Sequence, residues 1–155
     1  MAKTVADVMS HDPIMVAPET PLKEAIKILV ERRISGLPVV DDAGKLVGII
    51  SETDLLWQET GVEPPAYITF LDSVIYLENP ARHEKELHKA LGQTVGEVMS
   101  GAPVTVTQDE PLRKAAKLMQ EKSIRRLAVT DETGKVIGIL TPGDIVRAMA
   151  AELEV

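Results

Sequence analysis

Two short segments of the sequence place a hydroxyl residue three positions before an aspartate, directly after an apolar run. The first is Ser51-Glu52-Thr53-Asp54, and the second is Thr141-Pro142-Gly143-Asp144, 90 residues later. This spacing is typical of a helix start, where the hydroxyl and the carboxylate cap free backbone amides. The same amides and the helix dipole also favour a bound anion. The spacing alone leaves two interpretations open, a structural cap or one part of a ligand site.

The chain around these segments repeats at the same spacing. Val5 to Trp57 aligns with Val95 to Arg147 without a gap. Identical pairs include Met9/Met99, Pro13/Pro103, Pro21/Pro111, Leu37/Leu127, Gly48/Gly138 and Asp54/Asp144. Such self-similarity indicates two copies of one structural unit. We therefore divide the chain into a first repeat at residues 1–57, an insertion at residues 58–94 and a second repeat at residues 95–155.

Each repeat shows the same order of predicted elements. In the first, Thr4-x-x-Asp7 caps a short helix, an extended piece runs from Pro13 to Val16, and a longer helix follows Pro21. A hairpin comes next, and its second strand leads into the last helix. Because a two-stranded hairpin is marginally stable alone, the two repeats should pack together as one α+β module with pseudo-twofold symmetry.

The insertion shows two helical patterns. Apolar residues at helical spacing predict a first helix, and Asn79-Pro80 predicts the start of a second helix that ends at Gly92. The residues of the first pattern are Tyr67, Phe70, Leu71, Val74 and Ile75. One interpretation is a helical hairpin packed on the module. The other is a protein–protein surface or a lid over a ligand cleft, because aromatic residues are enriched at interfaces.

Composition narrows the classes of function. A net charge of −7 over 155 residues argues against general nucleic-acid binding, which needs a cationic face. The sequence has no run approaching the ~20 apolar residues of a membrane span, and it has no cysteine. No apolar signal region follows its start, so we expect a cytosolic protein.

His83-Glu84-x-x-x-His88 has one residue too many for a metal-binding HExxH helix. With no nucleophile–base set evident either, we expect neither a metal site nor an enzyme.

The repeated motifs resemble those of the CBS-domain pair, a regulatory module named after cystathionine β-synthase. In the first repeat the motifs are Val8-Met9 followed by Pro13, Ile34-Ser35-Gly36-Leu37-Pro38-Val39-Val40-Asp41, and Gly48-Ile49-Ile50-Ser51-x-x-Asp54. In the second they are Val98-Met99, Ile124-Arg125-Arg126-Leu127-Ala128-Val129-Thr130-Asp131, and Gly138-Ile139-Leu140-Thr141-x-x-Asp144. The resemblance covers almost all of the chain outside residues 58–94.

This resemblance implies both a fold and a function. The fold would be two β-α-β-β-α units packed as one module, with a helical insertion between the repeats. The function would be a free-standing, non-catalytic sensor of an adenosine-containing ligand, such as AMP, ADP or ATP, with no catalytic cofactor. Modules of this family usually pair into disc-like dimers, so we expect a homodimer that regulates an unidentified protein. The alternatives are a ligand-free dimerisation module and a binder of S-adenosylmethionine or NAD.

In the family each ligand cleft is composite, with the aspartate segment of one repeat facing the extended piece and first hairpin strand of the other. Carried over by position, one site comprises Ile50, Ser51, Thr53, Asp54, Val104, Thr105, Val106, Arg125, Arg126 and Leu127. The other comprises Leu140, Thr141, Asp144, Met15, Val16, Ala17, Ser35, Gly36, Leu37 and Pro38.

The two implied sites differ in charge. An adenosine ligand needs an apolar slot for its base, a carboxylate for its ribose hydroxyls, and cations or a helix start for its phosphates. Arg125 and Arg126 fall where relatives often carry basic phosphate ligands, whereas the first repeat has Ser35 and Gly36 there. Adjacent strand residues point to opposite faces, so we expect one arginine to reach the cleft. The resemblance thus predicts that the Asp54 site prefers phosphorylated ligands, and that the Asp144 site is empty or holds a less anionic one. A solvated arginine pair remains the alternative.

Overall fold

A computed structural model describes residues 3–61, 67–71, 73–76, 79–101 and 104–153 of the chain. The helices are α1 (Val5–Val8), α2 (Leu22–Arg32), α3 (Glu52–Thr60), α4 (Pro80–Leu91), α5 (Val95–Val98), α6 (Leu112–Lys122) and α7 (Pro142–Leu153). The strands are β1 (Ser10–His11), β2 (Gly36–Val40), β3 (Leu46–Ser51), β4 (Tyr67–Phe70), β5 (Ser73–Tyr76), β6 (Ser100–Gly101), β7 (Thr105–Thr107), β8 (Leu127–Thr130) and β9 (Val136–Leu140).

The predicted α+β repeat is confirmed. Both repeats run through a short helix, a short strand, a longer helix, a hairpin and a last helix. The extended piece forms β7 in the second repeat, where it pairs in parallel with β8. In the first repeat the same piece makes a single parallel bridge between Val16 and Val39. The proline before each longer helix takes the cap position, as its fixed φ allows. Pro103, which is identical to Pro13 across the repeat, and residues 62–66 of the insertion lie outside the described residues.

The first helix and strand of each repeat belong to the other repeat's sheet and core. β1 pairs antiparallel with β9, and β6 pairs antiparallel with β3. The sheets are therefore β1-β9-β8-β7 and β2-β3-β6. Val5 of α1 is buried in the core of the second repeat, and Val95 and Val98 of α5 are buried in the core of the first. Each repeat therefore contributes its first helix and strand to the sheet and core of the other repeat.

Glycine at Gly48 and Gly138 permits this exchange. A Cβ atom added to Gly48 would lie 2.6 Å from the sulfur of Met99 and 2.7 Å from the carbonyl oxygen of Ser100. At Gly138 the corresponding distances to Met9 and to the carbonyl of the following residue would be 2.5 and 3.0 Å. The strand from the other repeat, β6 or β1, thus packs directly on the backbone of β3 or β9. A residue larger than glycine at either position would force that strand away.

The two repeats also meet along their pseudo-twofold axis. Lys45 and Lys135, which are equivalent positions of the two hairpin turns, form an antiparallel bridge. Two further bridges, Thr4 with Pro111 and Pro21 with Thr94, connect equivalent pairs of positions. These contacts confirm that the repeats pack as one module.

The insertion differs from its prediction in its first half. The predicted helix around Leu71, Val74 and Ile75 is wrong, because this segment forms the antiparallel hairpin of β4 and β5. Both strands are rich in β-branched and aromatic residues, which favour extended backbone, and Leu71 turns the chain at a φ of 54°. The predicted second helix is confirmed as α4, capped where the Asn79 side chain accepts from a backbone amide at 3.0 Å. Across the described residues, helices are too short or too polar to cross a membrane.

Candidate functional site

Both aspartate segments form the structural cap that their spacing predicts. The Asp54 Oδ2 atom accepts from the backbone amide of Ser51 at 3.0 Å and from its hydroxyl at 3.1 Å. The Asp144 Oδ2 atom accepts from the backbone amide of Thr141 at 2.9 Å, and the Thr141 hydroxyl accepts from the amide of Asp144 at 3.2 Å. Since one carboxylate oxygen makes the cap in each segment, the other oxygen decides what else the aspartate can bind.

The second oxygen of Asp54 is held by a lysine from the insertion. Asp54 Oδ1 accepts from Lys89 Nζ at 2.6 Å and from Ser100 Oγ at 2.7 Å. Lys89 lies on α4 and also donates to the carbonyl of Val98 at 2.9 Å. The Asp54 side chain is only 6% exposed and that of Lys89 is 21% exposed. Asp54 is therefore one half of a largely buried ion pair.

The second oxygen of Asp144 has a weaker set of partners. Asp144 Oδ1 accepts from a guanidinium nitrogen of Arg147 at 2.7 Å and from Ser10 Oγ at 3.4 Å. Ser10 is the repeat equivalent of Ser100, so both carboxylates face a serine of the exchanged strand. Arg147, however, lies on the same helix as Asp144, and its side chain is 72% exposed. The Asp144 side chain is itself only 8% exposed, so a ligand would reach its second oxygen by displacing the exposed side chain of Arg147.

A cavity of about 740 Å³ opens beside Asp144, between this segment and the α2–β2 connection of the first repeat. Its size lies within the range of about 300–1,000 Å³ that is common for small-molecule sites. Its lining comprises Ser10, Asp12, Pro13, Ile14, Leu29, Val30, Arg33, Ile34, Ser35, Gly36, Pro38, Glu52, Arg126, Ile139, Thr141, Asp144 and Arg147.

The cavity contains half of the residues that the resemblance implied for the Asp144 site. Thr141, Asp144, Ser35, Gly36 and Pro38 all lie in its lining. The other five do not line it: Leu37, Val16 and Leu140 are buried in the hydrophobic cores, and Met15 and Ala17 also lie outside the lining.

The residues implied for the Asp54 site are more dispersed. Ser51 is buried beside Asp54, and its hydroxyl is 2.9 Å from the hydroxyl of Thr53. The remainder divide into core residues, which are Ile50, Val106 and Leu127, and exposed residues, which are Val104, Thr105 and Arg125.

Arg126 lines the cavity beside Asp144, but the charges of Glu52 and Asp54 also act on its guanidinium, so it is not confined to one of the two sites. The preference of the Asp54 site for phosphorylated ligands stays a prediction. The Arg126 guanidinium donates to the carbonyl of Ser35 at 3.0 Å and to the Ser35 hydroxyl. The reason is Gly36, where an added Cβ atom would lie 2.5 Å from Nε of Arg126. The missing side chain of Gly36 leaves the space that Arg126 fills. Arg125 is exposed and lies outside the cavity, so of these two arginines Arg126 alone lines it.

The cavity combines opposite charges with an apolar wall. Its guanidiniums are those of Arg33, Arg126 and Arg147, and its carboxylates are those of Asp12, Glu52 and Asp144. Burial lowers the pKa of the Arg126 guanidinium, and the nearby carboxylate of Glu52 opposes that shift. Pro13, Ile14, Pro38 and Ile139 supply the apolar surface. Such a site can hold a flat apolar group, accept from hydroxyls and donate to an anion.

Several of these residues were missed by the sequence reasoning. Ser10 had a signal, because it is identical to Ser100 across the repeat and directly follows the Val8-Met9 motif. Arg147 stands three residues after Asp144, which is helical contact spacing. Lys89 had no such signal, since it belongs to the insertion and has no repeat equivalent.

The fold and these two segments place the chain in a known family. The model of the CBS domain matches residues 5–58 and 95–151, and the chain belongs to this family. It is 39% identical over 151 residues to the CBS domain-containing protein CBSX1, chloroplastic, of Arabidopsis thaliana. That alignment covers 94% of this chain and 63% of the relative, so the chain spans less than two thirds of that protein's length.

Solved structures of CBS pairs share the whole fold. The structure of CBSX2 in complex with AMP superposes with a TM-score of 0.82 at 36% identity and covers 99% of both chains. The CBS domain pair of protein MJ0100, in complex with 5′-methylthioadenosine and S-adenosyl-L-methionine, superposes with a TM-score of 0.71 at 28% identity. It covers 98% of this chain and 99% of that one. The chain is therefore a tandem CBS module, and CBS pairs similar to it bind adenosine-containing ligands.

Proposed function

We propose that this protein is a non-catalytic regulatory module that binds an adenosine nucleotide of the AMP, ADP or ATP type in the cavity beside Asp144. The observation that carries the proposal is the composition of this cavity, which brings the carboxylate of Asp144, an apolar wall and Arg126 together in about 740 Å³. The AMP complex of the similar protein CBSX2 supports the class of ligand.

Each part of an adenosine nucleotide has a counterpart in this cavity. Asp144 would accept from the ribose hydroxyls, because its only cationic partner among the described residues is the exposed Arg147. Because Arg147 is 72% exposed, water can solvate its guanidinium once the pair is broken, so we expect the rearrangement to cost about 0–1 kcal/mol. Ile14 and Pro38 would cover the base, and Arg126 would donate to the phosphate near the start of α7. This assignment makes Asp144, rather than Asp54, the principal ribose ligand.

A second candidate ligand is S-adenosylmethionine. Two further carboxylates line the cavity, those of Asp12 and Glu52. These would favour the cationic sulfonium and ammonium groups of that ligand over a phosphate. The similar CBS pair of MJ0100 was solved with this ligand and with 5′-methylthioadenosine.

Isothermal titration with AMP, ATP, adenosine and S-adenosylmethionine tests the proposal. We expect AMP or ATP to bind, and Asp144→Asn to weaken that binding by at least tenfold. Asp54→Asn is the matched control, since it removes the equivalent carboxylate charge in the other repeat, and it should leave nucleotide affinity unchanged. Binding of S-adenosylmethionine in preference to the nucleotides would select the second candidate. Failure of all four ligands to bind would refute the proposed function.

The proposal extends to assembly and location. Exposed apolar side chains on α3 and α7, those of Leu56, Val146 and Met149, favour pairing with a second copy. We propose a cytosolic homodimer that regulates a separate, unidentified protein. Light scattering at micromolar concentration should give twice the mass of the chain, and a monomeric mass would refute the dimer.

A further inference from the structure

The insertion makes the surroundings of the two equivalent aspartates unequal. It contributes Lys89 to the carboxylate of Asp54, whereas the equivalent carboxylate of Asp144 pairs with Arg147 from its own helix. The Lys89 side chain is 21% exposed and that of Arg147 is 72% exposed. Both aspartates accept from the backbone amide of the hydroxyl residue and face a serine, although Ser100 lies 2.7 Å from its aspartate and Ser10 lies 3.4 Å away. The main difference lies in the origin and burial of the cation.

The hydrogen-bonding groups of the Asp54–Lys89 pair all have partners within the protein. The ammonium carries three donor hydrogens, and its three acceptors are Asp54, the carbonyl of Val98 at 2.9 Å and the hydroxyl of Ser100 at 3.3 Å. The carboxylate has about four acceptor positions, and it receives Lys89, Ser100 and two groups of Ser51. A pair of ribose hydroxyls could bind to the carboxylate of Asp54 only after one of these four donors had moved away.

The backbone that carries Lys89 is fixed independently of its ammonium. The side-chain amide of Gln58 on α3 donates to the carbonyls of Lys89 and Gly92. Ala90, the next residue on α4, is buried. The ammonium is therefore held at Asp54 by a docked helix, and loss of the charge should leave that helix in place.

We infer that Lys89 is a built-in occupant of the Asp54 cleft and excludes a ribose-containing ligand from it. The module then holds one nucleotide per chain, in the Asp144 cavity, although its sequence repeats the ligand segment twice. This inference rests on the proposed function, because the excluded ligand is the nucleotide that the Asp144 cavity binds.

The test is the stoichiometry of AMP binding, measured by isothermal titration on the whole chain. Wild type should bind one AMP per chain, and Lys89→Met should bind two. The added site should disappear again in the double variant Lys89→Met/Asp54→Asn. Lys89→Arg keeps the cation and should bind one AMP. Lys85→Met removes an exposed lysine from the same helix and should also bind one.

The outcomes separate this inference from the proposed function. Two sites in wild type, or a single site in folded Lys89→Met, overturn the inference and leave the proposed function standing. No site in wild type but one in Lys89→Met overturns the proposed function and supports the inference. No site in either variant overturns both.

A second measurement does not depend on the folding of a Lys89 variant. Asp144→Asn in an otherwise wild-type chain should bind AMP at least tenfold more weakly than wild type, because Lys89 still occupies Asp54. If that variant keeps a site of wild-type affinity, and the site is lost in Asp54→Asn/Asp144→Asn, Lys89 is not an obstacle and the inference is overturned. A site of wild-type affinity that survives in the double variant overturns the role proposed for Asp144.

Discussion

Neutralising the two equivalent aspartates should destabilise the ligand-free protein by very different amounts. Asp54→Asn removes the charge that balances Lys89, and the Asp54 side chain is 6% exposed. Breaking a buried ion pair from one side costs about 3–5 kcal/mol. Asparagine keeps an acceptor for the cap, and Lys89 is 21% exposed, so we expect the lower end, about 3 kcal/mol. The Asp144 side chain is 8% exposed, but its partner Arg147 is 72% exposed and can be solvated when unpaired, so we expect Asp144→Asn to cost about 0–1 kcal/mol.

The two variants are matched controls for each other. Both aspartates form the same cap with a hydroxyl residue three positions earlier, so any loss of the cap is common to both. In a chain of this size, 1 kcal/mol shifts the melting temperature by about 2–4 °C. The melting temperature should therefore fall by about 6–12 °C for Asp54→Asn and by up to about 4 °C for Asp144→Asn. Urea unfolding without ligand gives the same comparison as a free energy.

A double-mutant cycle assigns the difference to its cause. Asp54→Asn combined with Lys89→Met should show a coupling energy near the top of the range of about 0.5–3 kcal/mol seen for contacting residues. Asp144→Asn combined with Arg147→Met should show a coupling below about 0.5 kcal/mol, as for an exposed pair. Equal losses of stability in the two single variants, or equal couplings in the two cycles, would refute the idea that the insertion has made the clefts unequal.

Three further substitutions or titrations test other parts of the structure. Arg126→Met should weaken AMP binding by roughly ten- to a hundredfold, because a hydrogen bond to a charged group contributes about 1.5–3 kcal/mol. Calorimetry should show the affinity for adenosine unchanged. Equal losses of affinity for AMP and adenosine would exclude a phosphate role. Gly48→Ala should lower the unfolding free energy by about 1–3 kcal/mol, because the new Cβ would press on a backbone carbonyl of β6. Gly101→Ala, where the Cβ would meet nothing within 4 Å, is its control and should be neutral. Hydrogen bonds from Thr133, chiefly from its hydroxyl, lower the pKa of Asp131. The stability that these bonds contribute is present above the ordinary carboxyl pKa, and it is lost as the pH falls through the lowered value. An NMR titration should show the pKa of Asp131 rising in Thr133→Ala, and an unchanged value would contradict that cause.

The sequence was sufficient for the repeat, for the order of elements in it and for the family. These depend on local signals such as the proline before each long helix and the hydroxyl-x-x-Asp caps. The exchange of the first helix and strand between repeats could not be predicted in this way. Val5 and Val95 are equivalent, so an apolar pattern is satisfied equally whether each packs on its own repeat or on the other. Only the three-dimensional path of the chain distinguishes the two arrangements.

The insertion shows a different limit of sequence reasoning. The apolar spacing that predicted a helix around Leu71 also fits two short strands joined by a turn, and β-branched residues decided the outcome. The positions of Arg126 and Lys89 depend on distant partners. Arg126 lies over Gly36 of the other repeat, and Lys89 contacts Asp54 across 35 positions of the sequence. Neither contact produces a periodic pattern in the sequence from which it could have been predicted.

The source of asymmetry in this module therefore differs from the one that its sequence suggests. Arg125 and Arg126 are the most conspicuous difference between the repeats, and they favoured the Asp54 cleft as the phosphate site. In the structure Arg126 packs over Gly36 and lines the cavity beside Asp144, while the charges of Glu52 and Asp54 still act on its guanidinium. Lys89, which belongs to the insertion and to neither repeat, pairs with the carboxylate of Asp54. The two equivalent aspartates thus differ through a residue that has no counterpart in the repeat. If Lys89 excludes a ribose from Asp54, as we infer, then an insertion that supplies one internal cation is enough to leave a duplicated ligand segment with a single site.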